Sequence, residues 1–337
     1  MFVTNSLTGG GAERSMNLVS NELVRRSWPV ALVPINAGEP DLVSLTCDVF
    51  PLNRQWRSGI VQACLAIVKF NRVVRKWQPD VLVLNCDLPE LFGALLFRRQ
   101  ILVIVEHANP AWSTRASSGK IVRRFLSYRR IFYVAVSSHL RIWPKGEFPR
   151  RVLQNPILAS DEIHAKISTD EPLRRLVFMG RLESRQKQPE LLLEIAASCD
   201  LEVLFIGEGS MKAVLQVEAE TRKLKATFAG YTSDPWSLVG SGDLLIVPST
   251  FEGDGLVVVE GLRYKVPLLI ADIPDFRRFG FPDRNYCRDV NSFSERIHEF
   301  RSRLAMLIPP DDISKEILDS RSPIAVGNSW EAFLNSL

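Results

Sequence analysis

A buried strand that leads directly into a glycine-containing loop constrains the fold of this chain most. Residues 243–248 are apolar throughout after Asp243, as in a parallel strand that is covered on both faces. Residues 252–255 form the loop Glu-Gly-Asp-Gly, and an apolar segment of helical length extends from Leu256 to about Lys265. Because free N–H groups and the positive end of the helix dipole meet in such a loop, the sequence predicts an α/β sheet with an anion site here.

Two carboxylates flank this loop, eight residues apart in the sequence. If the helix begins near Gly255, Glu252 lies in the loop and Glu260 lies about a turn and a half inside the helix. Both carboxylates can then reach one elongated ligand, one at each end, and the glycines let the backbone approach it closely. An acidic loop followed by an ordinary amphipathic helix fits the same residues, so the pattern alone leaves both interpretations open.

Length and composition indicate an ordinary globular protein. At 337 residues the chain predicts two domains, and 24% charged with 46% apolar residues fits packed cores rather than disorder. The chain begins without a basic segment or an apolar run, and no stretch of about 20 apolar residues occurs, so we predict neither a signal peptide nor a transmembrane helix. The five cysteines have no metal-binding spacing, which is typical of reduced thiols in a cytoplasmic protein.

Charge is distributed unevenly along the chain. Residues 1–155 contain 21 Lys and Arg against 10 Asp and Glu, a net charge of +11, whereas the remainder contains 21 against 28, a net charge of −7. A basic half beside an acidic half indicates that the first half faces something anionic. We predict no nucleic-acid partner for it.

Strands and helices alternate in both halves, which predicts an α/β fold with parallel sheets. A polar, helix-poor stretch at residues 160–172 separates the two series. We therefore predict one Rossmann-like domain at residues 1–158 and a second at residues 172–320.

Several predicted strands end at glycines or at side chains suited to chemistry, and ligands bind at the carboxyl ends of strands in open α/β sheets. In the first half these residues are Gly10, Gly11 and His107. A tight strand-to-helix turn explains the glycines equally well, and a lone histidine is often structural. In the second half the residues at strand ends are Gly180, Arg181, Lys187, Gly207, Phe228 and Gly230.

Four stretches in this order resemble retaining glycosyltransferases of the GT-B fold. They are Gly-Gly-Ala-Glu-Arg at residues 10–14, Gly-Arg-Leu with a later lysine at 180–187, Gly-Glu-Gly at 207–209, and the paired glutamates at 252–260. The last stretch is similar to that family's two glutamates separated by seven residues. The resemblance covers nearly the whole chain. It implies two Rossmann-like domains with parallel sheets facing a cleft, and a C-terminal helix at residues 321–337 that crosses back to the first domain.

The resemblance also implies a reaction and roles for particular residues. A hexose-type sugar would pass, with retention, from a UDP- or GDP-linked donor to a hydroxyl of a glycan or lipid-linked acceptor, by front-face attack in bacterial surface polysaccharide or glycolipid assembly. Arg181 and Lys187 would neutralise the leaving diphosphate, with no metal and no cofactor. Glu252 would contact the sugar, Glu260 the ribose, and His107 would lie beside the donor sugar. Further donor contacts are implied at Gly10, Gly11, Gly180, Gly207, Phe228, Gly230, Gly253, Asp254, Gly255 and Leu256.

This sequence departs from the family pattern in places. Asp254 stands where an aromatic residue is common, and Gly261 where an alanine is common. No Asp-x-Asp metal motif follows a strand, and residues 310–312 are predicted to form a solvated loop.

Two alternative functions stay open. A nucleotide-sugar epimerase of the same fold would need further carboxylates near the donor, and the sequence shows no such cluster. An inactive homologue that regulates another transferase would not need to keep Arg181, Lys187, Glu252 and Glu260 together.

A basic and aromatic segment lies in the first half, within residues 113–130. Its cations and apolar residues are Lys120, Arg123, Arg124, Arg129, Arg130, Ile121, Phe125, Leu126 and Tyr128, and a second basic set is Lys69, Arg72, Arg75 and Lys76. One interpretation is peripheral attachment to the anionic inner face of the cell membrane, where a lipid-linked acceptor would be presented. The other is a solvated helix face that only keeps the domain soluble.

Overall fold

The computed structural model describes the chain outside residues 8–9, 39–43, 56–58, 97–99, 108–111, 113–114 and 159–170. The chain divides into two compact units, one formed by Met1–Ala159 with Arg321–Leu337 and the other by Ser160–Ser320. Most of the polar stretch that the sequence suggests as a linker, residues 160–172, lies outside the described residues.

The first unit is built on a six-stranded parallel sheet with the order β3-β2-β1-β4-β5-β6. Its strands are β1 (Phe2–Thr4), β2 (Ala31–Pro34), β3 (Asp48–Val49), β4 (Val81–Asn85), β5 (Ile101–Glu106) and β6 (Ile131–Ala135). The connecting helices are α1 (Gly11–Arg25), α2 (Ile60–Trp77), α3 (Asp87–Ala94) and α4 (Ala116–Leu126). The strand order reverses between the neighbouring strands β1 and β4. Strands β2 and β3 lie on one side of β1, and β4, β5 and β6 lie on the other.

The second unit repeats this topology in the order β12-β11-β10-β7-β8-β9. Its strands are β7 (Arg175–Met179), β8 (Glu202–Ile206), β9 (Ala226–Gly230), β10 (Asp243–Val247), β11 (Leu268–Ala271) and β12 (Tyr286–Cys287). Its helices are α5 (Ser184–Lys187), α6 (Glu190–Cys199), α7 (Lys212–Thr221), α8 (Leu256–Arg263), α9 (Pro274–Arg277), α10 (Val290–Phe300) and α11 (Asp311–Ser320). The predicted α/β class with two parallel sheets is confirmed.

The last helix, α12 (Pro323–Asn335), belongs to the first unit and packs on α1. Trp330 is fully buried and lies edge-on to Phe2, with 5.6 Å between ring centroids. The helices approach closely at Gly327, because a Cβ added there would lie 2.4 Å from Cγ of Glu22. The helix lies inside the segment 321–337 for which the sequence predicts it.

The other face of the first sheet is covered by α2, α3 and α4. Phe70 of α2 meets Phe92 of α3 with 5.7 Å between ring centroids, and Val122 and Leu126 of α4 complete the same buried cluster. In the second unit, α6, α7 and α10 form the corresponding layer around Leu192, Leu215 and Phe293. Each helix therefore turns one apolar stripe to its sheet and leaves the opposite stripe exposed.

Two sequence-based assignments are wrong. The apolar residues of the segment 91–97 predict a helix there, but helix α3 begins at Asp87 and ends at Ala94. Residues 311–312, expected in a loop, begin α11 instead, where their carboxylates lie at the positive end of the helix.

Candidate active site

The site in the second unit lies where the strand order reverses, between β7 and β10. Two loops leave the carboxyl ends of these neighbouring strands and are joined by hydrogen bonds. The Thr250 N–H donates to the Gln186 carbonyl at 2.9 Å, and the Gln186 side chain donates to the Phe251 carbonyl at 3.2 Å. Ligands of open α/β sheets bind at such reversals, so this is the expected place for a small-molecule site.

Lys187 and Glu252, which are 65 residues apart in the sequence, form an ion pair at this reversal. The Lys187 Nζ lies 2.5 Å from Oε1 of Glu252, and the Ser249 hydroxyl donates to the same oxygen at 2.7 Å. The two side chains are only 16% and 7% exposed. The Glu252 N–H also donates to Oδ2 of Asp275 at 2.6 Å, so the glutamate is held through its backbone as well.

Arg181 lies in the same loop as Lys187 but in a different environment. Its side chain is 63% exposed and contacts Glu183 at 3.2 Å and Gln186 at 2.9 Å. An exposed ion pair of this kind is weak and is easily exchanged for another anion. After β7 the structure therefore provides a partly buried cation in Lys187 and an exposed one in Arg181.

The glycines of this unit bring the loops after β7, β8 and β9 into contact. A Cβ on Gly207 would lie 2.0 Å from the Gly180 carbonyl oxygen, so no side chain fits there. The Gly207 N–H donates to the Gly230 carbonyl at 2.8 Å. The ring of Phe228, a predicted donor-binding residue, is partly buried and stacks on Phe205 of the core at 4.8 Å.

The loop at residues 252–255 ends at Gly255, which caps α8 with a positive φ of 64°. Asp254 is buried at 6% exposure and is held by Arg278, whose Nη2 donates to the Asp254 carbonyl at 2.6 Å and reaches Oδ1 at 3.2 Å. Glu260 is the fifth residue of α8 and accepts a hydrogen bond from the Trp236 indole at 3.0 Å. The predicted placement of Glu252 in the loop and Glu260 inside the helix matches this geometry.

In the first unit, the loops after β1, β4 and β5 are also linked. Asn85, fully buried at the end of β4, accepts from Nε2 of His107 and donates to the Ala12 carbonyl at 3.4 Å. Because an amide oxygen can only accept, this arrangement places a proton on Nε2 of His107. Gly10 caps α1, and Gly11 is its first residue. The predicted residues Gly10, Gly11 and His107 are thus brought to one edge of the sheet.

Arg123 does not belong to an exposed basic surface, and that part of the sequence analysis is wrong. It is 3% exposed and reaches Glu90 at 2.6 Å and Glu106 at 2.5 Å. The Trp112 indole donates to Glu90 at 2.9 Å, and the Trp143 carbonyl accepts from Arg123. One cation is shared by two buried carboxylates, and burial raises the pKa of Glu106 to about 7 although Arg123 opposes this.

Several residues at these sites were missed by sequence reasoning. Asn85 follows an apolar strand, as His107 does, so the same rule on strand ends identifies it. Asp275 lies in the short helix α9, Arg278 directly follows it, and Trp236 lies in a short turn between β9 and β10. No local pattern marks these three, because their partners are 23 or 24 residues away. Within the described part of the chain, no three His, Cys, Asp or Glu residues gather as metal ligands do.

Two parallel six-stranded sheets with this strand order have the architecture of the GT-B fold. A family model described as "Glycosyl transferases group 1" matches residues 159–279. The structure is similar over 100% of this chain to Anabaena Alr3699/HepE in complex with UDP and glucose, of which it covers 99%, with a TM-score of 0.77 and 14% identity. The sucrose-phosphate synthase of Thermosynechococcus elongatus matches with a TM-score of 0.78 and 15% identity, over 99% of this chain and 98% of that one.

A curated relative extends the comparison at the sequence level. It is the GalNAc-α-(1→4)-GalNAc-α-(1→3)-diNAcBac-PP-undecaprenol α-1,4-N-acetyl-D-galactosaminyltransferase of Campylobacter jejuni. It is 24% identical over 281 residues, which is 79% of this chain and 77% of the relative. The chain therefore has the GT-B fold, and its residues 159–279 match the model of group 1 glycosyltransferases. The family resemblance drawn from the sequence is confirmed, whereas the retaining mechanism and the residue roles stay predictions.

The raised pKa of Glu106 predicts a measurable effect on stability. An ordinary glutamate has a pKa of 4.5, against about 7 in this fold, so between these values the folded chain holds a proton that the unfolded chain releases. This group stabilises the fold fully below pH 4.5 and loses that contribution as the pH rises through 7. The free energy of unfolding of Glu106→Gln should therefore depend less on pH in this range than that of wild type, by the equivalent of up to one bound proton.

The measurement is the urea midpoint of wild type and Glu106→Gln at several pH values between 4 and 8. The exposed Glu147→Gln serves as the matched control and should keep the wild-type dependence. If the urea midpoints of wild type and Glu106→Gln change in parallel over the whole pH range, the buried carboxyl does not titrate as described.

Proposed function

We propose that this protein is a retaining glycosyltransferase that moves a hexose-type sugar from a nucleotide diphosphate donor to an acceptor hydroxyl without a metal. The second unit would hold the donor, and the first would supply the acceptor side. The group 1 domain in residues 159–279 supports the donor class, and the pairing of Lys187 with Glu252 at the reversal of the second sheet carries the proposal.

The ion pair supports a diphosphate site for an electrostatic reason. Lys187 is held in place by a carboxylate and is only 16% exposed, so its position is largely set before a ligand arrives. A diphosphate brings more negative charge than the single carboxylate of Glu252 and would compete with it for the ammonium. As the sugar bond breaks, the leaving diphosphate gains charge, and Lys187 with Arg181 would stabilise it in the role that a metal plays elsewhere.

The two glutamates would divide the rest of the donor between them. Glu252, displaced from Lys187, would accept hydrogen bonds from the sugar hydroxyls, and Glu260 would accept from the ribose. The N–H groups from Gly253 to Leu256 lie at the start of α8, where an anion is favoured. For retention we propose front-face attack, in which the departing phosphate takes the proton of the acceptor hydroxyl.

A lipid-linked glycan is the acceptor class that we propose. The relative from Campylobacter jejuni acts, by its name, on an undecaprenol-linked saccharide. The +11 charge of residues 1–155 suits an acceptor that carries phosphate or lies on an anionic membrane. We therefore place the protein in bacterial surface polysaccharide or glycolipid assembly, at the inner face of the cell membrane.

The metal-free proposal predicts that transfer activity survives EDTA but not loss of the cations. A screen of UDP- and GDP-linked sugars by thermal shift identifies the donor first, since a donor at 100 times its Kd stabilises by about 2.7 kcal/mol. Lys187→Ala should then lower kcat by roughly 10²–10³-fold, because one electrostatic contact to the leaving group is lost. Arg181→Ala should act in the same direction.

Matched controls for these variants are Lys225→Ala and Arg222→Ala, which remove exposed cations elsewhere in the second unit. Both should keep wild-type activity. Complete inhibition by EDTA that a divalent ion reverses would show the metal-free proposal to be wrong, and the absence of any stabilising nucleotide-sugar would remove the donor class itself.

The division of roles predicts different defects for the two glutamate variants. Glu260→Ala should raise the donor Kd by about 10–100-fold with little change in kcat, because a hydrogen bond to a charged group is lost equally in ground and transition states. Glu252→Ala should lower kcat without weakening the binding of the nucleotide diphosphate, because the Glu252 carboxylate no longer competes with the diphosphate for Lys187. Donor affinity from calorimetry and kcat from product formation separate the two, with Glu220→Ala on the exposed face of α7 as control.

Equal losses of turnover in both variants, at unchanged donor affinity, would contradict this assignment of roles.

Attachment to a membrane is the second part of the proposal, and the outer faces of α2 and α4 support it. Both helices lie on the same face of the first sheet and expose apolar residues at helical spacing. These residues are Val61, Leu65 and Val68 on α2, and Ile121, Phe125 and Tyr128 at α4, with exposures from 45% to 78%. Neither helix contains an acidic residue, and Lys69, Arg72, Lys120 and Arg124 are exposed on them. No helix in the described ranges is long and apolar enough to cross a bilayer.

We expect binding to vesicles that contain anionic lipid and none to neutral vesicles, with loss at high salt. Because each cation near an anionic surface contributes about 1 kcal/mol, the double reversal Lys120→Glu and Arg124→Glu should weaken binding by at least about 30-fold. Arg123 is left intact since it is buried, and reversal of Lys223 and Lys225 in the second unit is the control. Equal sedimentation with both vesicle types at low salt would remove the membrane part.

A further inference from the structure

Trp236 lies beside the predicted ribose-binding glutamate, and nothing in the family pattern draws attention to it. It belongs to a short 3-10 turn, Pro235–Leu238, between β9 and β10, and it is only 5% exposed. Its indole Nε1 donates to Oε2 of Glu260 at 3.0 Å. An indole nitrogen can only donate and a carboxylate oxygen can only accept, so the direction of this contact is unambiguous.

The indole is held in place from a second side. Its ring stacks on Tyr264 with 4.9 Å between centroids and 22° between planes. Tyr264 follows Glu260 by four residues and therefore lies one turn further along the same side of α8. Trp236 thus lies along the helix and contacts both residues, which restricts the rotamers available to the Glu260 carboxylate.

Gly261 follows Glu260 directly and lies between the indole and strand β10. A Cβ added to Gly261 would make an ordinary van der Waals contact of 3.5 Å with Cη2 of Trp236 and a tight one of 3.2 Å with Cδ2 of Leu245. Gly261, one of the departures from the family pattern, and Trp236 are parts of one packing arrangement directly beside Glu260.

We propose that Trp236 is a positioning residue that aims the Glu260 carboxylate at the ribose and so makes the protein select ribonucleotide over deoxyribonucleotide donors. The proposal rests on the ribose role proposed above for Glu260. A ribose hydroxyl donates to a carboxylate only when the carboxylate oxygen lies in the right direction and at the right distance. A site built to accept from a substrate hydroxyl discriminates strongly against an analogue that lacks it, and a carboxylate free to rotate discriminates less.

The test compares UDP with 2′-deoxy-UDP and 3′-deoxy-UDP by calorimetry on the full chain, with the guanosine set used if the thermal-shift screen selects GDP. Wild type should bind the ribonucleotide more tightly than at least one deoxy analogue. Trp236→Phe keeps a ring to stack on Tyr264 but has no N–H to donate. It should weaken the binding of UDP about tenfold and leave the binding of the deoxy analogue nearly unchanged, so that the preference for the ribonucleotide is lost.

A matched variant and a double-mutant cycle separate positioning from general damage. Trp28→Phe removes an equivalent indole bond, from Nε1 of Trp28 to Oε1 of Glu331 at 3.0 Å, in the other unit and should leave the preference intact. In a Glu260→Ala background, Trp236→Phe should have no further effect on the preference, because it acts through Glu260. Tyr264→Leu, which removes the ring that stacks on the indole but keeps the indole N–H, should lower the preference in the same direction and serves if Trp236→Phe does not fold.

The outcomes distinguish this proposal from the one it rests on. If neither UDP nor GDP binds wild type, the proposed donor class fails. If wild type prefers the ribonucleotide and both folded Trp236→Phe and Tyr264→Leu keep that preference, Trp236 has only a structural role. A preference that Trp236→Phe lowers equally with and without Glu260 would also overturn the positioning role.

Discussion

The reversal of strand order between β7 and β10 is the constraint on which the second unit depends. Because these neighbours are separated by two intervening strands in the sequence, the loops that follow them arrive side by side from distant parts of the chain. Lys187 and Glu252 meet only for this reason, and neither side chain would be partly buried without the partner that neutralises it. The topology thus creates both this partly buried ion pair and its charge balance.

The first unit uses charge in a different way. Arg123 is shared by Glu90 and Glu106 and lies between the Tyr133 and Trp143 rings at 5.7 and 5.4 Å. Two carboxylates exceed the charge of one guanidinium, and burial then favours protonation of one of them, which is the physical reason for the raised pKa of Glu106. Glu106 is the last residue of β5 and precedes His107 directly. The network thus holds α3, α4 and the end of β5 together next to a predicted site residue.

The sequence was sufficient to predict what depends on local pattern. The apolar strand at residues 243–248, the glycine loop and the start of α8 follow from hydrophobic periodicity and from the backbone freedom of Gly255. The burial of Arg123 was not predictable in this way, since its partners are 17 and 33 residues distant and its own segment has the composition of a solvated basic helix. The start of helix α3 was not predictable either. It directly follows Cys86, which has a positive φ of 78° that no residue preference indicates.

The two departures from the family pattern gain a physical explanation once their distant partners are considered. Asp254 would be costly as an isolated carboxylate at 6% exposure, but Arg278 contacts both its carboxylate and its carbonyl and lies over the Phe279 ring at 4.4 Å. Position 261 is tight on the side of β10, since a Cβ added to Gly261 would lie 3.2 Å from Cδ2 of Leu245, and this favours the glycine. Both explanations depend on residues that are distant in the sequence, which is why the local pattern of residues 252–261 does not reveal them.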